Sequence, residues 1–469
     1  MVQEMRFSSV LVTAVIVAFC GCGLDSQVNK SASFVGQPNF VVIFADDLGY
    51  GDLGVYGHPT IRTPHLDQMA AEGLRFTQFY TGASVCTPSR AALLTGRLPV
   101  RSGMADDRIR VIFPPSRGGL PAAEITIAEA LKSVGYATAA IGKWHLGHLP
   151  EYLPTAHGFD EYFGIPYSND MTPSASKGER VQTYPPLPLM RGEEIIEEEP
   201  DQRLLTRRYT EESITFIRNN VDNPFFLYVP HTMPHIPIFA SDNFEGTSTR
   251  GLYGDVIEEL DWSVGQILEV LRETGIDRKT LVVFTSDNGP WLTVGLAGGT
   301  AGLLRNGKGT TWEGGMRVPT IAWWPETIPA GNTTQALGTT MDLLPTMLGL
   351  AGAALPGDRV LDGVDLTPVL RDPAARIRES VYYYRGAQLW AARKGPWKMH
   401  YITRSAYVGD QPVMHIPPAL YHLDRDPGER FNVAADEPEV LVEIQAMVDA
   451  HKEELVKAPT QLDIPEWDD

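Results

Sequence analysis

The sequence predicts an α/β fold: a large, mostly parallel sheet sandwiched by helices, with a smaller C-terminal α+β subdomain built on a short antiparallel sheet. Three observations predict it. Short apolar runs alternate with stretches of helical periodicity through most of the chain, the pattern of buried strands joined by helical crossovers. Two of those runs, residues 40–45 and 281–285, stop abruptly at Asp46-Asp47 and Ser286-Asp287-Asn288-Gly289. In open parallel sheets, ligands gather beyond such carboxyl ends. From about residue 378 the texture changes to short strands separated by turn residues.

Taken in order, residues 40–45 are apolar throughout and read as a buried strand. Gly49, Gly51 and Gly54 follow its acidic end. Pro64 stands in the first turn of a helix running to Glu72. Residues 75–80 read as a strand, and Pro88 opens a helix through Leu94. Residues 127–134 read as a helix, and 137–141 and 225–229 as strands. Over 256–273, Ile257, Leu260, Val264, Ile267, Leu268 and Leu271 recur at helical spacing and predict a long amphipathic helix. Residues 381–384, 388–393 and 397–401 are short strands with turns at Gly386 and Gly395-Pro396, and 438–455 is a closing helix. The Pro- and Glu-rich stretch 174–200 reads as a surface excursion. The expected division is a leader over 1–22, a catalytic domain over 39–377 and a C-terminal subdomain over 378–469.

Composition narrows the function. With 39 basic and 58 acidic residues the net charge is -19, which disfavours nonspecific nucleic-acid binding. Any site for an anion must be a local basic pocket. The N-terminus carries Arg6 and an apolar run over 10–19, shorter than the roughly 20 residues that span a bilayer. It ends in Phe19-Cys20-Gly21-Cys22-Gly23. This resembles a bacterial lipoprotein signal with Cys22 lipidated, although Phe19 stands where Leu is usual; the alternative is a cleaved signal peptide. Both imply export to the periplasm, the outer membrane or the medium, with no transmembrane helix. Processing leaves Cys86 without a disulfide partner.

The environment of Cys86 suggests chemistry rather than packing. In Cys86-Thr87-Pro88-Ser89-Arg90 the proline fits a first helical turn, so the cysteine stands at a helix N-terminus, where backbone N–H groups favour negative charge. Arg90, four residues on, shares its side of the helix. Asp46, Asp47, Asp287 and Asn288 are oxygen donors at two strand ends, and suit a hard cation; taken singly, either pair also suits a plain turn. Lys143 and His145, in Gly142-Lys143-Trp144-His145-Leu146-Gly147, point the same way in extended chain. His231 and His235 follow the strand at 225–229, and Lys308 lies in a Gly-rich segment, Leu304 to Gly315.

These strings together resemble the formylglycine-dependent (type I) sulfatases of the alkaline phosphatase superfamily, in the arylsulfatase-A-like branch. Cys86-Thr87-Pro88-Ser89-Arg90 and Leu94-Thr95-Gly96-Arg97 match the family signature, and the resemblance runs from about Asn39 to Leu420–Arg430. It implies a sulfuric ester hydrolase acting on an aryl sulfate or a sulfated saccharide. It implies that a formylglycine-generating enzyme converts Cys86 to 3-oxoalanine (formylglycine), whose hydrate attacks sulfur. Asp46, Asp47, residue 86, Asp287 and Asn288 would then hold Ca2+, with Mg2+ as the alternative. Arg90, Lys143, His145, His235 and Lys308 become the catalytic residues, with Lys143, Ser168, His235 and Lys308 binding sulfate. In Gly164-Ile165-Pro166-Tyr167-Ser168-Asn169-Asp170 the family's histidine is replaced by Asn169, so no role carries over there, and none is assigned to His231. Loops over 174–200, 242–254 and 401–416 are expected to shape the leaving-group pocket. The competing readings are hydrolysis of a phosphate or phosphonate ester and a non-catalytic binder of sulfated glycans.

Overall fold

A run of six apolar side chains has no polar face to offer water, and residues 40–45 are fully buried in the middle of a ten-stranded sheet. The structure, a computed structural model, describes Met1 and residues 36–173, 184–405 and 409–463. Its strands are β1 (Asn39–Ala45), β2 (Leu74–Phe76), β3 (Phe79–Tyr80), β4 (Ala137–Ile141), β5 (Glu161–Gly164), β6 (Pro188–Arg191), β7 (Glu194–Glu198) and β8 (Phe225–Pro230). They continue with β9 (Thr280–Ser286), β10 (Thr320–Trp323), β11 (Asn332–Thr334), β12 (Gly338–Thr339), β13 (Ser380–Arg385), β14 (Gln388–Lys394), β15 (Trp397–Thr403) and β16 (Val413–His422). The main sheet has the order β11-β2-β10-β9-β1-β8-β4-β5-β6-β7. Its centre, β9-β1-β8-β4-β5, is parallel. β10 and the β6–β7 hairpin run antiparallel to their neighbours.

The helices are α1 (Pro64–Glu72), α2 (Cys86–Thr95), α3 (Pro99–Ser102), α4 (Ile127–Lys132), α5 (Leu205–Asn219), α6 (Leu252–Glu273), α7 (Glu313–Met316), α8 (Leu343–Ala351), α9 (Thr367–Arg371) and α10 (Pro438–Glu454). Strand side chains alternate faces, so Val41 and Ile43 join one core with Ile257, Leu260, Val264, Ile267 and Leu271 of α6. The opposite face carries Phe40, stacked on Tyr136, and Phe44, with the Arg90 guanidinium of α2 over its ring. Helices thus cover both faces, as a parallel sheet requires.

The strands β13–β16 form an antiparallel sheet at the C-terminal end, and α10 packs on it through Ile444 and Val448. The fold agrees with the predicted class and corrects two details. The single strand expected over 75–80 is two: β2 stays in the main sheet, while β3 leaves it to pair with β12. The excursion expected over 174–200 contains the β6–β7 hairpin at the sheet edge. Leu187, Leu189 and Met190 are buried there, while the Glu-rich β7 is mostly exposed, so its acidic residues disguised a strand with only one partner. Among the described residues no helix is long and apolar enough to cross a membrane. The expected leader lies almost wholly outside them.

Candidate active site

β1 and β9 run in parallel register, Ala45 opposite Ser286, so the residues that follow them emerge side by side. Asp46, Asp47, Asp287 and Asn288 are all buried at that edge, although about 240 residues separate the pairs in sequence. Asp47 adopts the left-handed region, with φ 67°, a conformation uncommon outside glycine. Its N–H donates to Asp287 Oδ1 at 3.0 Å, and Asn288 Nδ2 donates to Asp47 Oδ1 at 2.7 Å. The two turns are thereby locked together.

The turn after β3 delivers Cys86 to the first position of α2, with Pro88 in the first turn. The thiol is free and buried. Its Sγ lies 3.4 Å from Asp46 Oδ1 and 3.6 Å from Lys308 Nζ. One turn on, Arg90 is completely buried and reaches Asp46 at 3.2 Å, Asp287 at 3.0 Å and the Lys143 carbonyl at 2.7 Å. Lys143, just beyond β4, donates to Asp46 at 2.5 Å and to Ser168 Oγ at 2.9 Å. Lys308 reaches the Asp47 carboxylate at 2.8 Å. His235 Nε2 is 3.7 Å from the same carboxylate. Three carboxylates and three cations thus share one buried volume.

Charge crowding sets the protonation states. Burial raises the Asp46 carboxyl, yet Lys143 and Arg90 hold it well below the usual range. Asp287 rises to about 7, through burial and then the neighbouring Asp46. Burial and Asp46 push the Cys86 thiol well up, so the unmodified cysteine is a poor nucleophile. Burial, Lys143 and Arg90 keep His145 neutral. His235 is lowered by burial and Lys308.

The oxygen donors here, Asp46, Asp47 and Asn288, fit a hard cation, whereas the Cys86 thiol and the His235 imidazole beside them are not hard-cation ligands. One ligand atom each from Asp46, Asp47, Cys86 and His235 lies within 4.8 Å of the others. Asn288 Oδ1 is buried without a hydrogen-bond partner beside them; a buried amide oxygen so placed calls for a donor or a cation. Asp287 belongs to the same edge, but its oxygens accept from Arg90 and from the Asp47 N–H.

The family matches follow this geometry. Residues 38–353 match the sulfatase family and residues 376–468 match the C-terminal region of aryl-sulfatase. The chain belongs to the sulfatase family. It is 45% identical to arylsulfatase A of Homo sapiens over 86% of this chain and 85% of that one. It is 41% identical to Homo sapiens N-acetylgalactosamine-6-sulfatase over 92% and 88%. The crystal structure of the PsFucS1 sulfatase from Pseudoalteromonas sp. superposes with TM-score 0.82 at 30% identity, covering 89% of this chain and 90% of that one. A phosphonate monoester hydrolase of Agrobacterium radiobacter, at 20% identity, TM-score 0.60 and coverage of 89% and 96%, shares the fold alone. This sulfatase therefore hydrolyses sulfate esters.

Every residue expected at the site lies at this strand edge or is hydrogen-bonded to residues that do. His145 is tied in through its backbone carbonyl, which accepts from Thr87 at 2.9 Å. Asn169 is buried and donates to Gln202 and to the Pro237 carbonyl at 3.0 and 3.1 Å, bracing the loop that carries His235. His231 sits deeper, 3.3 Å from Ser263 of α6. The sequence reading missed Trp291, whose ring lies 4.5 Å from Lys308 Nζ and 5.7 Å from the His235 ring. Its only signal was its place four residues after Asp287. Parts of two loops expected to shape the leaving-group pocket, 174–183 and 406–408, lie outside the described residues.

Proposed function

We propose that this sulfatase works through formylglycine at position 86 and a divalent cation, Ca2+ in preference to Mg2+, with a sulfated saccharide as natural substrate and aryl sulfates as surrogates. The observation that carries this reading is the placement of Cys86 Sγ, 3.4 Å from Asp46 and 3.6 Å from Lys308, at the N-terminus of a buried helix. In the proposed roles, Asp46, Asp47, Asp287, Asn288 and residue 86 hold the cation. The cation would neutralise sulfate charge and ease ionisation of a bound hydroxyl. Formylglycine would supply a geminal diol, one hydroxyl to take the sulfuryl group and the other to expel it.

The chain's own residues do the rest. Arg90, fixed by Asp46, Asp287 and the Lys143 carbonyl, holds the start of α2 against the strand ends and completes the positive wall. Lys143, steadied by Ser168, and Lys308, lying over Trp291, meet the sulfate oxygens; each such preorganised donor is worth about 3–4 kcal/mol if its loss resembles loss of an oxyanion donor. His145 Nε2 is 2.9 Å from the Ile112 carbonyl, which only an N–H can satisfy. Its Nδ1, buried and without a partner, is therefore the basic end. His235 donates Nδ1–H to the Ile236 carbonyl at 2.6 Å, so the proton it passes to the leaving alcohol sits on Nε2. An arriving sulfate anion favours that protonation.

The leader pattern supports export, with Cys22 as lipid anchor, and maturation by a formylglycine-generating enzyme. Residues 39–377 then carry the chemistry, and 378–469 form a subdomain that grips the loop bearing Lys308. The test is mass spectrometry of the peptide containing residue 86, with turnover of an aryl sulfate against an aryl phosphate on the same preparation. The expected result is an aldehyde at position 86 and preference for sulfate. An unmodified thiol in an active preparation, or preference for phosphate, overturns the reading.

A further inference from the structure

Asn169 stands where the family's histidine is expected, and in the fold it lies at a joint between two parts of the site. It directly follows Ser168, whose Oγ accepts from Lys143 Nζ at 2.9 Å. The Asn169 side chain is fully buried. Its Nδ2 donates to Gln202 Oε1 at 3.0 Å and to the Pro237 carbonyl at 3.1 Å. Gln202 returns a bond, from Nε2 to the Asn169 carbonyl at 3.2 Å. A backbone carbonyl only accepts, so the amino end of the amide faces Pro237. The amide oxygen is left buried without a partner, and the side chain is held by the two bonds it donates.

What those bonds hold is the segment that carries His235. Pro234 and Pro237 have no N–H to donate, which leaves residues 234–237 with few backbone ties of their own. Upstream, the Met233 carbonyl accepts the Asp46 N–H at 3.2 Å. Downstream, Asn169 takes hold of the Pro237 carbonyl. Between these two pins, His235 Nδ1–H donates to the Ile236 carbonyl at 2.6 Å. The imidazole thus takes its orientation from a peptide that Asn169 fixes one residue away, and its Nε2 stands 3.7 Å from the Asp47 carboxylate. A proton donor has to lie within hydrogen-bond reach of the atom it serves, and misplacing a reacting group by about 1 Å can cost roughly a hundredfold in rate.

We propose that Asn169 is a positioning residue that sets the His235 imidazole against the sulfate site of Lys143 and Ser168, so that its loss acts on departure of the alcohol. As the S–O bond breaks, its electron pair leaves with the alcohol oxygen, which takes the proton from Nε2 and leaves the imidazole neutral. The proposal rests on the acid role given to His235 above. The test is kcat/KM across substituted phenyl sulfates, from 4-nitrophenyl, a good leaving group, to 4-methoxyphenyl, a poor one that depends on protonation. Wild type is compared with Asn169→Leu, Gln202→Ala, His235→Ala and the Asn169→Leu/His235→Ala double variant. Asn169→Leu is expected to lose about tenfold or more on the 4-methoxyphenyl ester relative to the 4-nitrophenyl ester, in the direction of His235→Ala, since a general acid contributes about 100- to 10,000-fold where it is needed. The double variant should be no worse than His235→Ala alone, because the two residues act as one unit. An equal loss on every ester, or an additive double variant, overturns the proposal. Gln202 is half-buried, so Gln202→Ala decides the matter if Asn169→Leu does not fold: a split of about threefold in the same direction supports the proposal, and an even loss overturns it. A flat profile for His235→Ala overturns the acid role itself and the proposal with it. Aldehyde content at residue 86, measured in each preparation, keeps failure of the formylglycine reading separate from these outcomes.

Discussion

Two buried charge clusters meet the segment that carries Lys308, and they differ in how fully their charges are paired. At the strand ends, Asp46, Asp47, Asp287, Arg90, Lys143 and Lys308 crowd together with loose ends: Asn288 Oδ1, His145 Nδ1 and Arg90 Nε are buried without partners, and Asp47 and His145 have positive φ. Against the C-terminal sheet, the second cluster has its charges paired, although His400 Nδ1 is also buried without a partner and Glu429 also has positive φ. Lys398 reaches Glu313 at 2.9 Å and Glu429 at 3.2 Å, and His400 is 2.7 Å from Glu429. Glu429 Oε2 also accepts the Glu313 N–H at 2.7 Å, and Tyr80 donates to Glu313 at 2.6 Å. Unsatisfied polar atoms gather where a ligand can complete the set; paired charges mark a joint. The joint matters to the site because Arg305 donates to the Glu429 carbonyl at 2.7 Å and Arg385 to the Gly309 carbonyl at 2.9 Å, gripping the chain on both sides of Lys308.

The sharpest way to break this contrast is at residue 86. Cys86→Ala is expected to abolish turnover of an aryl sulfate, a fall of at least about a thousandfold, with little change in thermal unfolding; a variant that melts early but still turns over would make the strand-end cluster the structural one. Lys308→Ala is expected to lower kcat/KM by roughly 100- to 1,000-fold, as for loss of one preorganised donor, again at nearly unchanged Tm. Chelation should remove activity and lower Tm together, with Ca2+ restoring both better than Mg2+, because a ligand that binds only the folded state stabilises it by mass action.

In the second cluster the order reverses. Lys398→Met leaves Glu313 and Glu429 buried without their cation, and the expected cost is about 3–5 kcal/mol in denaturant unfolding. Activity at low temperature should fall less than in Lys308→Ala. The smallest effect is expected at α10. His451 is stacked on Tyr382 at 3.7 Å and bonded to Tyr384 at 2.8 Å, and burial lowers its pKa to about 4. A base with a depressed pKa stabilises the fold fully above its ordinary value near 6.5, and that contribution is lost as pH falls towards and through 4. The Tm of the wild type should therefore drop over that window more steeply than that of His451→Gln; parallel profiles would remove His451 from the account.

Much of this was legible in sequence because its signals are local. Residues 40–45 and 281–285 announced buried strands by having no polar face. Pro88 placed Cys86 in a first helical turn, and 256–273 showed its stripe. What escaped were elements whose character comes from their neighbours. β10 and β16 are strands because others pair with them, and acidic β7 is an edge whose outward face meets water. Trp291 carries no motif of its own; only the folded chain sets its ring between His235 and Lys308.

By itself, the sequence determined the fold class, the acidic strand ends, the signature around Cys86 and the inventory of cations, since each depends on residues within a few positions of one another. Tertiary structure alone decided that Asp46 and Asp287 share Arg90, that Asn288 Oδ1 is left without a partner, and that the C-terminal sheet clamps the Lys308 loop. Those facts depend on parallel register between β1 and β9 and on contacts across more than a hundred residues. Periodicity along a chain records which side is buried, but not which distant side chain is waiting there.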